Sequence, residues 1–200
     1  MRAKFGESKS FSSGMDVFFF SFNTTWHALL RRFGEGSVDK MVDWTLQNVP
    51  TSSQPHILEI GSGNGTLLFA LHEAGYAASH LSGIDYSPDA IKLARIIARS
   101  RSSEQVTFHV CDFLSELPSP PPPPPPPASP APSGQLDPDV QESWDLLLDK
   151  GTYDAIALGE KDESGRSPVA VYPIRASKLL RENGYFLITC KSQDNLVVFE

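Results

Sequence analysis

The sequence has only two cysteines, Cys111 and Cys190, among 200 residues. Their spacing fits neither a metal-ligand pair nor a disulfide framework, so no metal site is expected, and the expected location is a reducing one, the cytoplasm and also the nucleus. No apolar run reaches the length of a membrane span. The longest bulky run near the start, VFFFSF from Val17 to Phe22, is too short for a transmembrane helix and short for a signal-peptide core. Arg2, Lys4 and several serines suit a mitochondrial presequence, but Glu7 and Asp16 do not. Positive charge is in the minority, with 17 Lys and Arg against 24 Asp and Glu and a net charge of −7. That balance argues against a nucleic-acid footprint and favours a basic protein or a small molecule as partner.

What is present is a repeating pattern. GSVDKMVDWTLQNVP reads as a helix from Gly36 to Pro50, with Ser37 as its cap and Val38, Met41, Val42, Leu46 and Val49 as its apolar stripe. HILEI is a short buried strand. A glycine loop follows it, and then the helix TLLFALHEAGY. HLSGID is a second strand, ending at Asp85. Ser87 and Pro88 open the next helix, SPDAIKLARIIARS. A third strand runs from Val106 to Val110, and a fourth from Leu146 to Leu148. RASKLLRENG reads as a helix ending at Gly184, and YFLITC as a fifth strand. Strands alternating with helices predict an α/β fold, a doubly wound, mainly parallel Rossmann-like sheet with helices on both faces. The domain is expected over residues 31–190. Before it lies an atypical segment, 1–30, expected to be poorly ordered, and after it an atypical tail, 191–200. The pattern is broken by a proline-rich insertion at 118–141, within the run LPSPPPPPPPPASPAPSGQLDPD from Leu117 to Asp139, which excludes helix and sheet and predicts an extended, solvated stretch up to 141. Residues 118–132 also suit an SH3, WW or profilin-like partner.

Four acids fall at or near strand ends: Glu59, Asp85, Asp112 and Asp149. In an open parallel sheet, ligands bind beyond these ends. A single acid there is usually a cap or turn residue, but four beside a glycine loop point to a site. Gly61, Gly63 and Gly65 follow a G-x-G-x-G spacing. Thr66 occupies the position where a dinucleotide fold has its third glycine, and Glu59 repels a pyrophosphate. A nicotinamide cofactor is therefore disfavoured. The acids suit a cationic ligand without phosphate, and S-adenosylmethionine fits. Glu59 would hold its amino-acid end and Asp85 its ribose hydroxyls. Asp112 would accept from the adenine amino group beside Phe113, and the glycines would admit the ligand close to the backbone.

LEIGSGNG, GIDYSP and LLDKGTYDAI together resemble the class I S-adenosylmethionine-dependent methyltransferases. More narrowly, with RFGEGSVDKMVDW, the chain is similar to the eukaryotic lysine methyltransferases that act on translation elongation factor 1-alpha. The resemblance implies protein-lysine N-methylation by a monomer, with Phe33 and Tyr86 joining the cofactor contacts. Asp149 would orient the substrate amine and Tyr153 would wall the acceptor channel. The plainer alternatives are a turn role for Asp149, paired with Lys150 or a backbone amide, and core packing for Tyr153.

The resemblance also implies two further strands, a hairpin beside the fifth strand. After YFLITC this chain reads KSQDNLVVFE instead, so the hairpin is expected to be missing and the fifth strand to be an edge, with LVVFE as a partial substitute. Two other readings stay open: a non-catalytic interaction protein built around the proline run, and a methyltransferase of another substrate class. The lack of an Asn-Pro-Pro-aromatic motif after the fourth strand weakens nucleic-acid amino-methylation.

Overall fold

The computed structural model describes residues 36–121, 144–159, 165 and 167–190, together with the backbone of two earlier strands. Among these, seven strands form one sheet. They are β1 (Met15–Ser21), β2 (Arg31–Phe33), β3 (Ile57–Ile60), β4 (Leu81–Asp85), β5 (Thr107–Val110), β6 (Trp144–Lys150) and β7 (Leu180–Cys190). Their order is β2-β1-β7-β6-β3-β4-β5. The pairs β3–β4, β4–β5, β3–β6 and β6–β7 are parallel, while β1 pairs antiparallel with both β2 and β7. The chain moves outward from β3 to β5, then returns to β6 on the other side of β3. This reversal places a crevice at the carboxyl ends of β3 and β6.

Alternation along the buried strands feeds two cores. Ile57, Leu146, Leu148 and Leu187 pack on one face. They meet α1 (Ser37–Asn48), α2 (Thr66–Glu73) and α3 (Pro88–Ser100) through residues such as Met41, Trp44, Leu67, Leu71 and Ile91. Leu58, Ile60, Leu147, Phe186 and Ile188 turn to the other face, against Tyr172 and Ala176 of α5 (Tyr172–Ser177). Each large apolar side chain so buried contributes roughly 1.5–3 kcal/mol. No helix among the described residues is long and apolar enough to cross a membrane.

Local details depart from the sequence reading in three places. The N-cap of α1 is Gly36, in a left-handed conformation, and Ser37 is already helical, so the first turn has no side-chain cap. Of the predicted stripe, Val38, Met41, Val42 and Val49 do pack in or against the core, joined by Trp44 and Thr45, while Leu46 is exposed.

The helix expected to run to Gly184 stops at Ser177, and β7 begins at Leu180. Trp144 pairs with Leu180 and Leu146 with Tyr185, so the intervening residues of β7 bulge from the ladder. Asn183 adopts φ 64° there. Arg181 is tied to Asp145 at 2.6 Å, and a Cβ on Gly184 would come within 3.1 Å of the Arg181 and Asp145 carbonyls. Pairing with β6 overrides the helical preference of this stretch.

The expectation that the fifth strand is an edge also fails. β1 lies along it, from Asp16↔Cys190 to Ser21↔Tyr185. The Val and Phe residues of VFFFSF favour an extended chain, and the pairing occupies the outer backbone groups of β7. The proposed substitute LVVFE lies outside the described residues, as does the proline run beyond Pro121.

Candidate functional site

The glycine loop leaves β3 at Ile60 and turns back into α2. A Cβ on Gly61, at φ 70°, would lie 1.8 Å from Oγ1 of Thr152. Only glycine admits so close an approach. Thr152 opens α4 (Thr152–Ala157), and its hydroxyl donates to the Ile60 carbonyl at 3.0 Å. The position of Gly63 differs. Its φ is 53°, but a Cβ there would meet nothing within 4 Å, so it faces open space. Gly65 caps α2 in the same left-handed region. Asn64 covers the first turn of α2, accepting from the Thr66 hydroxyl at 2.7 Å where a dinucleotide fold would present its amides to phosphate.

Asp85 ends β4 and stitches the loop to it. Its Oδ2 accepts from the Gly63 amide and its Oδ1 from the Ser87 amide, both at 2.9 Å. Each oxygen keeps a lone pair for a further donor.

Glu59 is the only charged residue in β3 and has no exposed surface. Among the described residues, neither of its carboxylate oxygens has a hydrogen-bond partner. Burial raises its pKa to about 8; Lys150 opposes the rise, and Asp149 and Asp85 add to it. An ionised carboxylate in such a place is costly unless a positive charge accompanies it. The arrangement therefore fits a cation-bearing ligand seated above the loop, and the orphaned oxygens are its natural acceptors.

Asp149, near the end of β6, is also fully buried, but it is not orphaned. Its Oδ1 accepts from the Thr152 amide at 2.6 Å, and its Oδ2 from the Tyr153 amide at 2.9 Å and from the Tyr172 hydroxyl. Burial raises its pKa to about 6, against the lowering effect of Tyr172 and of the amides of Thr152, Tyr153 and Gly151. The carboxylate thus holds the first turn of α4, where an acid also complements the helix dipole. The Tyr153 ring is half-buried and meets Tyr172 edge-on at 5.6 Å.

The structure brings Glu59, Gly61, Gly63, Asp85 and Asp149 to one end of the sheet. The other expected residues follow at the ends of β4 and β5 or in the core. Tyr86 is largely exposed, and Asp112 lies on the surface, bonded to the Leu114 amide and the Ser115 hydroxyl of its own turn. Phe113 is buried in the core against Tyr172, with ring centroids 4.8 Å apart. The Phe33 side chain lies outside the described residues. Sequence reasoning missed Tyr172 and Thr152. A threonine directly after Gly151 at a helix start was a signal for Thr152; Tyr172 had none.

A family model described as a methyltransferase domain matches residues 51–197. The protein-lysine N-methyltransferase efm4 of Schizosaccharomyces pombe is 34% identical over 169 residues, covering 78% of this chain and 63% of that protein. The EEF1A lysine methyltransferase 2 of Danio rerio is 34% identical over 158 residues, covering 78% of this chain and 56% of that one. The chain therefore spans less than two thirds of the length of these relatives. Among solved structures, the CcbJ methyltransferase from Streptomyces caelestis superposes with a TM-score of 0.51 at 15% identity, over 78% of this chain and 49% of its own. That likeness concerns the fold, whereas the match over residues 51–197 concerns the sequence itself. A parallel sheet whose order reverses beside a glycine loop, with a buried acid at the reversal, is thus accompanied by a family match over most of its length, and the chain belongs to the methyltransferase-domain family.

Proposed function

We propose that the protein transfers a methyl group from S-adenosylmethionine to a lysine ε-amine of a basic protein, with elongation factor 1-alpha as substrate. The observation that carries this reading is Glu59: a fully buried carboxylate, without a hydrogen-bond partner among the described residues, just before a loop that opens at Gly63. The two relatives above, whose names state lysine methylation and EEF1A, support the choice of acceptor.

When bound, the cofactor supplies a methyl group made electrophilic by its sulfonium. The residues of this chain do the rest. Glu59 receives the cofactor's ammonium and Asp85 its ribose hydroxyls, while Gly61 and Gly63 let it lie on the backbone. Phe33, Tyr86, Asp112 and Phe113 complete the proposed contacts. The lysine must arrive neutral, since its lone pair forms the new N–C bond as the C–S bond breaks, and the extra proton leaves to solvent. Asp149 acts by holding α4, which presents Tyr153 to the acceptor. The net charge of −7 favours encounter with a basic substrate. The enzyme is proposed to work as a monomer in the cytoplasm and nucleus, with residues 118–132 as a ligand for an SH3, WW or profilin-like module.

The test is methyl transfer from tritiated S-adenosylmethionine to purified elongation factor 1-alpha. Label on a lysine that is lost with Glu59→Gln and with Asp85→Asn is expected. No label, or label indifferent to both changes, overturns the reading.

A further inference from the structure

Tyr172 is fully buried, yet it carries a hydroxyl into the core. A phenol there costs free energy unless its hydroxyl is bonded, and phenylalanine would fill the same space. The ring is boxed by Phe113 at 4.8 Å, Tyr153 at 5.6 Å and Phe186 at 6.2 Å, so its direction is set by packing from three elements. The hydroxyl donates to Oδ2 of Asp149, the same oxygen that receives the Tyr153 amide. Oδ1 receives Thr152, which has a second anchor in its bond to the Ile60 carbonyl. Loss of the Tyr172 hydroxyl therefore falls first on the Asp149 oxygen that holds Tyr153.

We propose that Tyr172 is a positioning residue for methyl transfer: by bonding Asp149 it fixes the first turn of α4, and with it Tyr153 on the acceptor side of the crevice. The inference rests on the function proposed above. It adds that α5, which carries no other site residue, controls turnover through one hydrogen bond. Cofactor binding should be spared in a variant that keeps the ring: among the described residues neither Glu59 nor Asp85 has a hydrogen bond to Tyr172, and the ring alone packs on Phe113. The groups facing Asp149 include Tyr172 from α5, the amides of Gly151, Thr152 and Tyr153 at the start of α4, and Glu59 from β3.

The experiment is Tyr172→Phe in the full chain. Exchange of the Tyr153 amide is expected to quicken about tenfold, and kcat to fall about tenfold, the worth of one hydrogen bond to a charged acceptor. The KM for S-adenosylmethionine is expected to stay within about twofold. The acid limb of the pH–rate profile should move upward, because the Tyr172 bond favours the charged carboxylate. A purely packing role would leave that limb in place. Fluorotyrosine at 172 retains the ring and serves as a second variant if phenylalanine prevents folding; its more acidic phenol should move the limb the other way. Unchanged Tyr153 exchange and an unmoved acid limb overturn the inference. Failure of the wild-type chain to methylate elongation factor 1-alpha overturns the proposed function instead, and the exchange measurement still decides the role of Tyr172.

Discussion

Gly61 and Thr152 touch so closely that the glycine loop after β3 and the first turn of α4 form one body. A single added carbon on Gly61 would stand 1.8 Å from the Thr152 hydroxyl oxygen. The two banks of the crevice are joined at that point, where the Thr152 side chain lies on the backbone of Ile60 and Gly61 from the other half of the chain.

Gly61→Ala and Gly63→Ala should therefore separate folding from binding. Both positions have positive φ, which costs an alanine about 1 kcal/mol. Gly61→Ala adds a clash with Thr152 and should lose about 3 kcal/mol in all. Gly63→Ala should lose only the smaller amount while placing its methyl group where the ligand lies, so binding of S-adenosylmethionine should be weakened far more than stability. Urea denaturation and calorimetry on the two variants check this.

Glu59 makes the free protein less stable as pH rises. Its pKa is raised to about 8 in the folded chain, above that of an unfolded carboxyl, so the folded state holds the extra proton across that window. Stability is full below the unfolded value and is lost as pH climbs through 8. Glu59→Gln should abolish this slope and exceed the wild type above that pH by roughly 2–4 kcal/mol. Denaturation at acid and at alkaline pH reads the difference.

The same group should couple binding to proton release. A cationic ligand favours the ionised carboxylate, so the proton held on Glu59 near neutrality leaves as the ligand arrives. Affinity for S-adenosylmethionine should rise with pH toward 8. Calorimetry in buffers of differing ionisation enthalpy should detect release of a proton by the wild type and none by Glu59→Gln.

Asp149→Ala should destabilise the chain by about 3 kcal/mol, because it strands the Thr152 and Tyr153 amides and the buried Tyr172 hydroxyl. Asp149→Asn, which keeps one acceptor oxygen, should lose less. Thermal melts of both variants check the order.

The sequence was most readable where the sheet is most buried. ILEI shows as an apolar run around one acid, and LSGID as a short run of apolar and small residues closed by Asp85, because parallel strands are covered on both faces. Glu59 stood out because a charge inside such a run has no structural excuse. Tyr172 did not, since an aromatic in a short helix resembles ordinary core until its hydroxyl partner is seen across the fold. The bulge at 181–184 resembles helix in sequence because Arg181 and Glu182 are good helix formers, and only the register with β6 reveals the strand. The role of VFFFSF was hidden for a related reason: its partner lies at the other end of the described chain.

That distance gives the β1–β7 pairing a kinetic meaning. A ribosome makes β1 well before β7, so the Phe-rich ribbon waits through the synthesis of the five strands between them before its mate exists. Closing so long a loop is slow, and the waiting ribbon is open to stray partners and to chaperones.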